Sequence, residues 1–341
     1  MEQDLEAASQ PGCANCGHMI IEHGHPTPLC TECRTKFIKF PIPWPIRIFA
    51  GLVLVILIFA MANLPRNLST AIHYERGKEA IEHSKYATAR KELSSVIKNF
   101  PQFNDAKEYM VIASFRNQDI PTFFSLLQEL EGKQVEDLSL YSEIKQMANH
   151  APEYFPSDSL MAIAEKYHSL DSIPVAVYRE YIPTHIAEVF PSWQYASMLF
   201  DQKNFSACDS VLTEVLEQDH DYTPALMIKS TLKRELNQLD SSHYYCDRLL
   251  SLNNESFYGT ASKARTFLKQ KKDKEGMDWA LRNFELRKND PYSIATLALA
   301  YHFNNRVPDR DKIMATANKD SVQMTYMSYV NDVISGKEKF R

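Results

Sequence analysis

After Arg47 no charged side chain occurs until Arg66, and the run Ile46–Leu64 between them is almost wholly apolar. A helix of about 19 residues spans roughly 28 Å, close to the hydrocarbon thickness of a bilayer. A soluble core helix of that length normally keeps a polar stripe, and this one has none. A cleaved signal peptide fits poorly, because about 45 residues precede the run and no small-residue cleavage site follows it cleanly. The run therefore predicts a single membrane-spanning helix over 46–64, stopped by Pro65. Phe37, Phe40 and Trp44 stand where aromatic rings favour the interface. Pro41, Pro43 and Pro45 predict a stiff extended spacer over 37–45. Arg34, Lys36, Lys39 and Arg47 precede the run, against Arg66, Arg76 and Lys78 after it. That slight excess favours a cytoplasmic N-terminal side and an extracytoplasmic body.

Ahead of the run lie two cysteine pairs, Cys13-Ala14-Asn15-Cys16 and Cys30-Thr31-Glu32-Cys33. Two such turns supply four thiolates, the complete tetrahedral shell of a structural Zn²⁺ ion. A disulfide scaffold would spread its cysteines through a small domain, whereas here only Cys208 and Cys246 remain for the rest of the chain. A redox CxxC would need a βαβ setting that is missing. The segment Gly17–Leu29 suits a short hairpin, and residues 11–36 resemble a zinc-ribbon or B-box-like finger. His18, His23 and His25 lie between the pairs and read as exposed loop residues, since four thiolates already fill the shell. A closed shell leaves no position for hydrolytic zinc chemistry.

A formal net charge of -5 gives no sequence-independent hold on nucleic acid. Only 9 glycines, and neither a GxGxxG nor a GxxxxGK[ST] motif, argue against a nucleotide-binding α/β enzyme and for helices joined by short turns. From Ser69 onward the apolar spacing is helical, and strand signals are absent.

Within that body a pattern recurs with a step of 34. Tyr86, Ala89, Leu93 and Val96 are echoed by Ile120, Phe123, Leu127 and Leu130. Phe205, Cys208, Leu212 and Val215 are echoed by Leu239, Ser242, Cys246 and Leu249. Gly77 and Ala196 put a small residue nine positions ahead of an aromatic. These residues resemble tetratricopeptide repeats over about 69–132 and 190–320. The stretch from Gln134 to Phe190, punctuated by Pro152, Pro156, Pro174 and Pro183, loses the period, and Leu239–Trp279 is expected to slip by a few residues. Thr223-Pro224 and Asp290-Pro291 each read as an N-cap followed by a first-turn proline. Cys208 and Cys246 read as core residues on different tiers rather than as a disulfide.

The resemblance implies an all-α solenoid over 66–341 whose concave wall is lined by first helices. Its groove positions map onto Tyr74, Lys78, Ile112, Phe115, Arg116, Trp193, Ser197, Phe200, Met227, Thr231 and Arg234. Aromatic residues beside arginines suit a protein or peptide partner. No catalytic constellation stands in a recognisable context, and no small-molecule substrate is implied. The expected function is a membrane-anchored binding scaffold with a structural zinc finger across the bilayer. The alternative is a transmembrane sensor coupling the finger to the repeats. Sequons at Asn67, Asn204 and Asn254 matter only on a eukaryotic secretory route.

Overall fold

The computed structural model describes residues 12–38, 43–133, 137–317 and 321–341. They fall into two compact units that divide between Leu68 and Ser69. The fold is all-α, and no strand occurs among the described residues.

In the first unit, turns over residues 12–30 lead into helix α1 (Thr31–Ile38), and helix α2 (Trp44–Glu82) follows. Two expectations about α2 need correction. Trp44 and Pro45 are helical rather than extended, because a proline in the first turn lacks only an N–H that has no intrahelical partner. Phe40 and Pro41 lie outside the described residues. Pro65 does not stop the helix either. It removes one bond, the one to the Met61 carbonyl, and the ladder on both sides carries the helix across. Up to Leu64 the apolar side chains of α2 are largely exposed, Leu54 to 58% and Ile56 to 65%. In the second unit α2 buries Thr70, Gly77 and Ala80. A Cβ on Gly77 would stand 2.7 Å from Leu93 Cγ, so this glycine permits the close approach of α2 to its partner helix.

The second unit continues as α3 (Tyr86–Asn99), α4 (Asn104–Arg116), α5 (Ile120–Leu130) and α6 (Leu138–His150). Shorter helices α7 (Asp158–Tyr167) and α8 (Val175–Tyr181) alternate with 3₁₀ turns. Then come α9 (Val189–Asp201), α10 (Phe205–Gln218), α11 (Thr223–Glu235), α12 (Leu239–Leu252), α13 (Phe257–Lys269), α14 (Asp273–Leu286), α15 (Pro291–Phe303), α16 (Val307–Met314) and α17 (Ser321–Ile334). Each expected second helix starts where its pattern starts, at Tyr86, Ile120, Phe205 and Leu239. The expected slip after Leu239 is absent: α9, α11, α13 and α15 begin 34 residues apart, as do α10, α12, α14 and α16. The register was hidden because the small position of α14 is Gly276, not alanine. Its Cβ would stand 2.6 Å from Leu268 Cδ2, so glycine here is a packing residue.

The turns keep the same beat. Ser84, Gln118, Lys203, Asn237, Lys271 and Asn305 all hold positive φ at the end of a first helix, where a left-handed residue closes the last carbonyls. At one such turn Asn237 N–H donates to Arg234 O at 3.0 Å and Gln238 N–H to Lys233 O at 2.8 Å. Each second helix then buries one stripe: Ala89, Leu93 and Val96 on α3, Cys208, Leu212 and Val215 on α10. Each large member of that stripe contributes about 1.5–3 kcal/mol. Cys208 and Cys246 are fully buried and unbridged. Asp290 caps α15, accepting from Tyr292 N–H at 2.9 Å, as expected. Thr223, by contrast, is the first residue of α11 rather than its cap, and Pro224 sits in the first turn.

Polar side chains knit successive repeats. Ser242 Oγ donates to Ser230 O at 2.8 Å and pairs with Thr266 Oγ1 at 2.8 Å. Asn283 Nδ2 donates to Phe257 O at 2.7 Å, and Asn283 Oδ1 accepts from Ser293 Oγ at 3.0 Å. All are buried and satisfied, so they fix register without leaving orphaned groups. The irregular segment turns the chain back on itself: Asn254 N–H donates to Ser84 O at 2.8 Å, and Tyr222 Oη donates to Glu153 O at 3.1 Å.

Candidate functional site

Two places gather functional side chains. In the first unit the Sγ atoms of Cys13, Cys16, Cys30 and Cys33 lie within 4.8 Å of one another. Three of these cysteines are buried. The first CxxC turn is drawn tight by Gly17, at φ +75, whose N–H donates to Cys13 O at 2.8 Å. The second runs into α1, so the Cys33 N–H reaches Cys30 Sγ at 3.4 Å. Asn15 Nδ2 donates to Cys33 Sγ at 3.3 Å. The loop between the pairs is built of turns and is closed by Glu22 N–H to Leu29 O at 3.0 Å and Ala14 N–H to Pro28 O at 2.9 Å. His18, His23 and His25 are exposed and outside the cluster.

The sulfurs fit a tetrahedral ion. Zn–S bonds of about 2.3 Å imply sulfurs about 3.8 Å apart, and Cys16 Sγ stands 3.6 Å from Cys30 Sγ. Hydrogen bonding from the Cys30 backbone lowers the Cys13 thiol to about 6. At Cys16 the His18 backbone bond pulls downward, but the Cys33, Cys13 and Cys30 side chains together push it up to about 12. Thiolates so close repel one another, and all four ionise together only around a cation.

The second place lies on the first helices of the later repeats. Ser197, Phe200, Met227, Thr231, Tyr258, Tyr292 and Tyr326 line a cavity of about 420 Å³. Phe200, Thr231, Tyr292 and Tyr326 also line an adjoining cavity of about 510 Å³, together with Arg234, Arg265, Lys269 and Tyr329. Of the groove residues expected from sequence, Ser197, Phe200, Met227, Thr231 and Arg234 thus come together. Arg234 is 3% exposed, and its Nη1 donates to Ser262 Oγ at 3.1 Å.

The others lie elsewhere. Tyr74 packs on Phe103, ring centres 4.9 Å apart, with the Lys78 ammonium 5.4 Å from its ring. Phe115 and Ile112 are core residues, Phe115 lying against Phe123 and Tyr154. Arg116 is exposed and 3.8 Å from Glu143. Trp193 packs against Phe190 at 5.4 Å, and its indole N–H is buried without a partner. Tyr154 of the irregular segment covers Phe115, whereas Tyr74 and Trp193 are packed by Phe103 and Phe190 and Arg116 stays at the surface.

Sequence reading missed Arg265, Tyr258, Tyr292, Tyr326 and Tyr329. Three of them carried a legible signal: Tyr258, Tyr292 and Tyr326 are spaced by 34, the step that runs through the helices. Burial pushes the hydroxyls of Tyr258, Tyr326 and Tyr329 up, so they remain neutral donors. Tyr292 and Tyr326 meet edge to face with ring centres 5.7 Å apart.

No protein-family model matches the chain, and a search of curated proteins finds no match. Solved structures resemble it in fold at low identity. MamA shares 10% identity over 53% of this chain and 94% of its own, with a TM-score of 0.38. PilF from Pseudomonas aeruginosa shares 10% over 79% and 99%, TM-score 0.35. A tetratricopeptide repeat protein from Parabacteroides merdae shares 10% over 77% and 99%, TM-score 0.39. The tetratricopeptide-like fold of this chain rests on its own 34-residue helix pairs, set out above.

Proposed function

We propose that the chain is a membrane-anchored protein-binding scaffold. On this reading residues 11–36 form a zinc-held knob, the apolar part of α2 crosses a bilayer, and the repeats over 66–341 hold a partner segment. The observation that carries it is the aromatic wall of Phe200, Tyr258, Tyr292 and Tyr326, whose three tyrosines recur with the 34-residue step, around a cavity of about 420 Å³. Such rings give large contact area at low entropic cost, the usual anchors of a protein interface.

Two further features support the reading. The helix Trp44–Glu82 is long and apolar enough to cross a membrane, and none of its most apolar window is buried. Four clustered thiols suit Zn²⁺, which would hold together a knob whose apolar support among the described residues is Ile21 and Leu29. Zinc in a closed thiolate shell is structural. A thiolate shell is best kept in a reducing compartment, and on this reading the repeats lie on the far side of the membrane.

The test is affinity purification of the full chain from detergent-solubilised membranes, beside a Phe200→Ser/Tyr292→Ser variant. A partner recovered in fixed ratio with the parent and lost with the folded variant supports the scaffold. Equal recovery with both contradicts it.

A further inference from the structure

The cysteine knob packs one pair of apolar side chains inward and leaves another outside. Ile21 and Leu29 pack against Cys13, Cys30 and Cys33. Met19 and Ile20, beside them in the loop between the cysteine pairs, are 83% and 74% exposed. Backbone bonds hold them there. The Cys13 N–H donates to His18 O at 2.8 Å and the Glu22 N–H to Leu29 O at 3.0 Å, so both ends of the stretch 18–22 are pinned and the pair stands out between them. From Gly17 to Ile21 there is no Asp, Glu, Lys or Arg, and Glu22 is taken by Arg34 Nε at 2.7 Å.

Single exposed apolar residues are ordinary on a protein surface. What distinguishes this adjacent pair is where it is tethered. Only six residue steps separate Ile38, the last residue of α1, from Trp44, the first of α2. They reach at most about 20 Å, which is also about the diameter of a body as small as the knob. With the apolar part of α2 across a bilayer, the knob cannot leave the lipid surface by more than its own width. At the two ends of the tether Phe37 and Trp44 are 48% and 75% exposed, rings of the kind that settle at the headgroup level.

We infer that Met19 and Ile20 dip into the acyl-chain boundary of the membrane that α2 crosses, so that the knob rests on the lipid with one fixed face. The inference rests on the anchor reading above and deepens it. The tether keeps the lipid at a high effective concentration, so a small apolar tip suffices where a free domain would need more. The contact is apolar rather than electrostatic, because over residues 12–38 Arg34 and Lys36 are balanced by Glu22 and Glu32. It therefore needs no anionic headgroup.

The test uses the full chain in nanodiscs with dansylalanine placed at Met19, at His25, which is exposed on the same loop, or at Leu54 within α2. Quenching by lipids brominated in the acyl chain is read for each. The expected result is quenching at Met19 at least twofold stronger than at His25, equal in phosphatidylcholine alone and with phosphatidylserine added, and at least halved by Ile20→Asp. Equal quenching at Met19 and His25, quenching at Met19 that appears only with phosphatidylserine, or no effect of Ile20→Asp overturns the inference while Leu54 remains quenched. A blue-shifted but unquenched probe at Met19 means that a second knob rather than lipid covers the pair, and also overturns it. Absence of quenching at Leu54 overturns the anchor reading itself, and the inference with it.

Discussion

Both carboxylate oxygens of Glu255 are taken by Thr88, 167 residues earlier in the chain: its N–H donates to Oε2 at 2.7 Å and its hydroxyl to Oε1 at 2.6 Å. Glu255 sits in the turn between α12 and α13, and Thr88 in the first turn of α3. The contact therefore gives a first-turn N–H a negatively charged acceptor, which the dipole of α3 also favours.

A double-mutant cycle on Thr88→Ala and Glu255→Ala should give a coupling of about 1–2 kcal/mol, as for a part-buried charge-assisted pair. Chemical denaturation of the two singles and the double checks it. Strict additivity would mean the contact is incidental to stability.

His150 joins the irregular segment to the α10–α11 turn. Its Nε2 is 3.1 Å from Asp219 and its Nδ1 is 3.2 Å from Glu153. The hydrogen bond to Asp219, outweighing burial, raises the imidazolium pKa above the ordinary 6.5. The protonated form is thus favoured in the folded state. Its contribution is fully present below pH 6.5 and is lost as pH rises through the folded value. The side chain is 37% exposed, so solvent screening limits the effect to about 0.5–1 kcal/mol. The stability gap between the parent and His150→Gln should widen on going from pH 8 to pH 6. A gap independent of pH would show that the charge plays no part.

Gly276→Ala and Gly51→Ala make an internal contrast. At Gly276 the new methyl meets Leu268 at 2.6 Å, with its backbone nitrogen only 3.2 Å away, whereas at Gly51 nothing lies within 4 Å. The first substitution should lower stability by about 1–3 kcal/mol through overpacking. The second should be neutral or favour the helix by up to about 1 kcal/mol. Thermal unfolding and helicity of the two variants check the pair.

The left-handed turn residues offer a gain. Lys203 and Lys271 hold φ near +60 without being glycine. A β-carbon in that region costs on the order of 1 kcal/mol, so Lys271→Gly should raise stability by a fraction of that, measured as a shift in denaturation midpoint. A fall would show that the lysine side chain contributes more than its backbone costs.

If the four thiols hold Zn²⁺, the full chain purified in zinc-replete medium carries about one ion per chain. Cys16→Ser and Cys33→Ser should each lose most of it, while His23→Ala should not. Metal quantification beside protein concentration decides this, and a metal-free parent chain would contradict it.

Much of this arrangement was legible in the residues themselves. The paired cysteines, the uncharged run after Arg47 and the starts of α3, α5, α10 and α12 all follow from local spacing, which is short-range information. Three things were not. Pro65 was read as a stop because local preference cannot weigh the packing of Gly77 and Ala80 that sustains α2 beyond it. The register past Leu239 was lost because its marker, Gly276, is fixed by contact with Leu268 rather than by type. The groove was dispersed over Tyr74, Phe115, Arg116 and Trp193 as well as its later residues, because long-range folding decides which positions are covered. Extending the same step from Thr231 by one more repeat would have brought in Arg265.

The claim that the later repeats grip a partner through their first helices is met most directly by site-specific photocrosslinking in the membrane-embedded full chain. A benzophenone amino acid is placed at Met227 or Tyr258, on the cavity wall, or at Tyr244, which is 56% exposed on α12. The account predicts a discrete adduct from both wall positions, lost when Tyr292→Ser is introduced, and none from Tyr244. Adducts of equal yield from all three positions, or from Tyr244 alone, would contradict it.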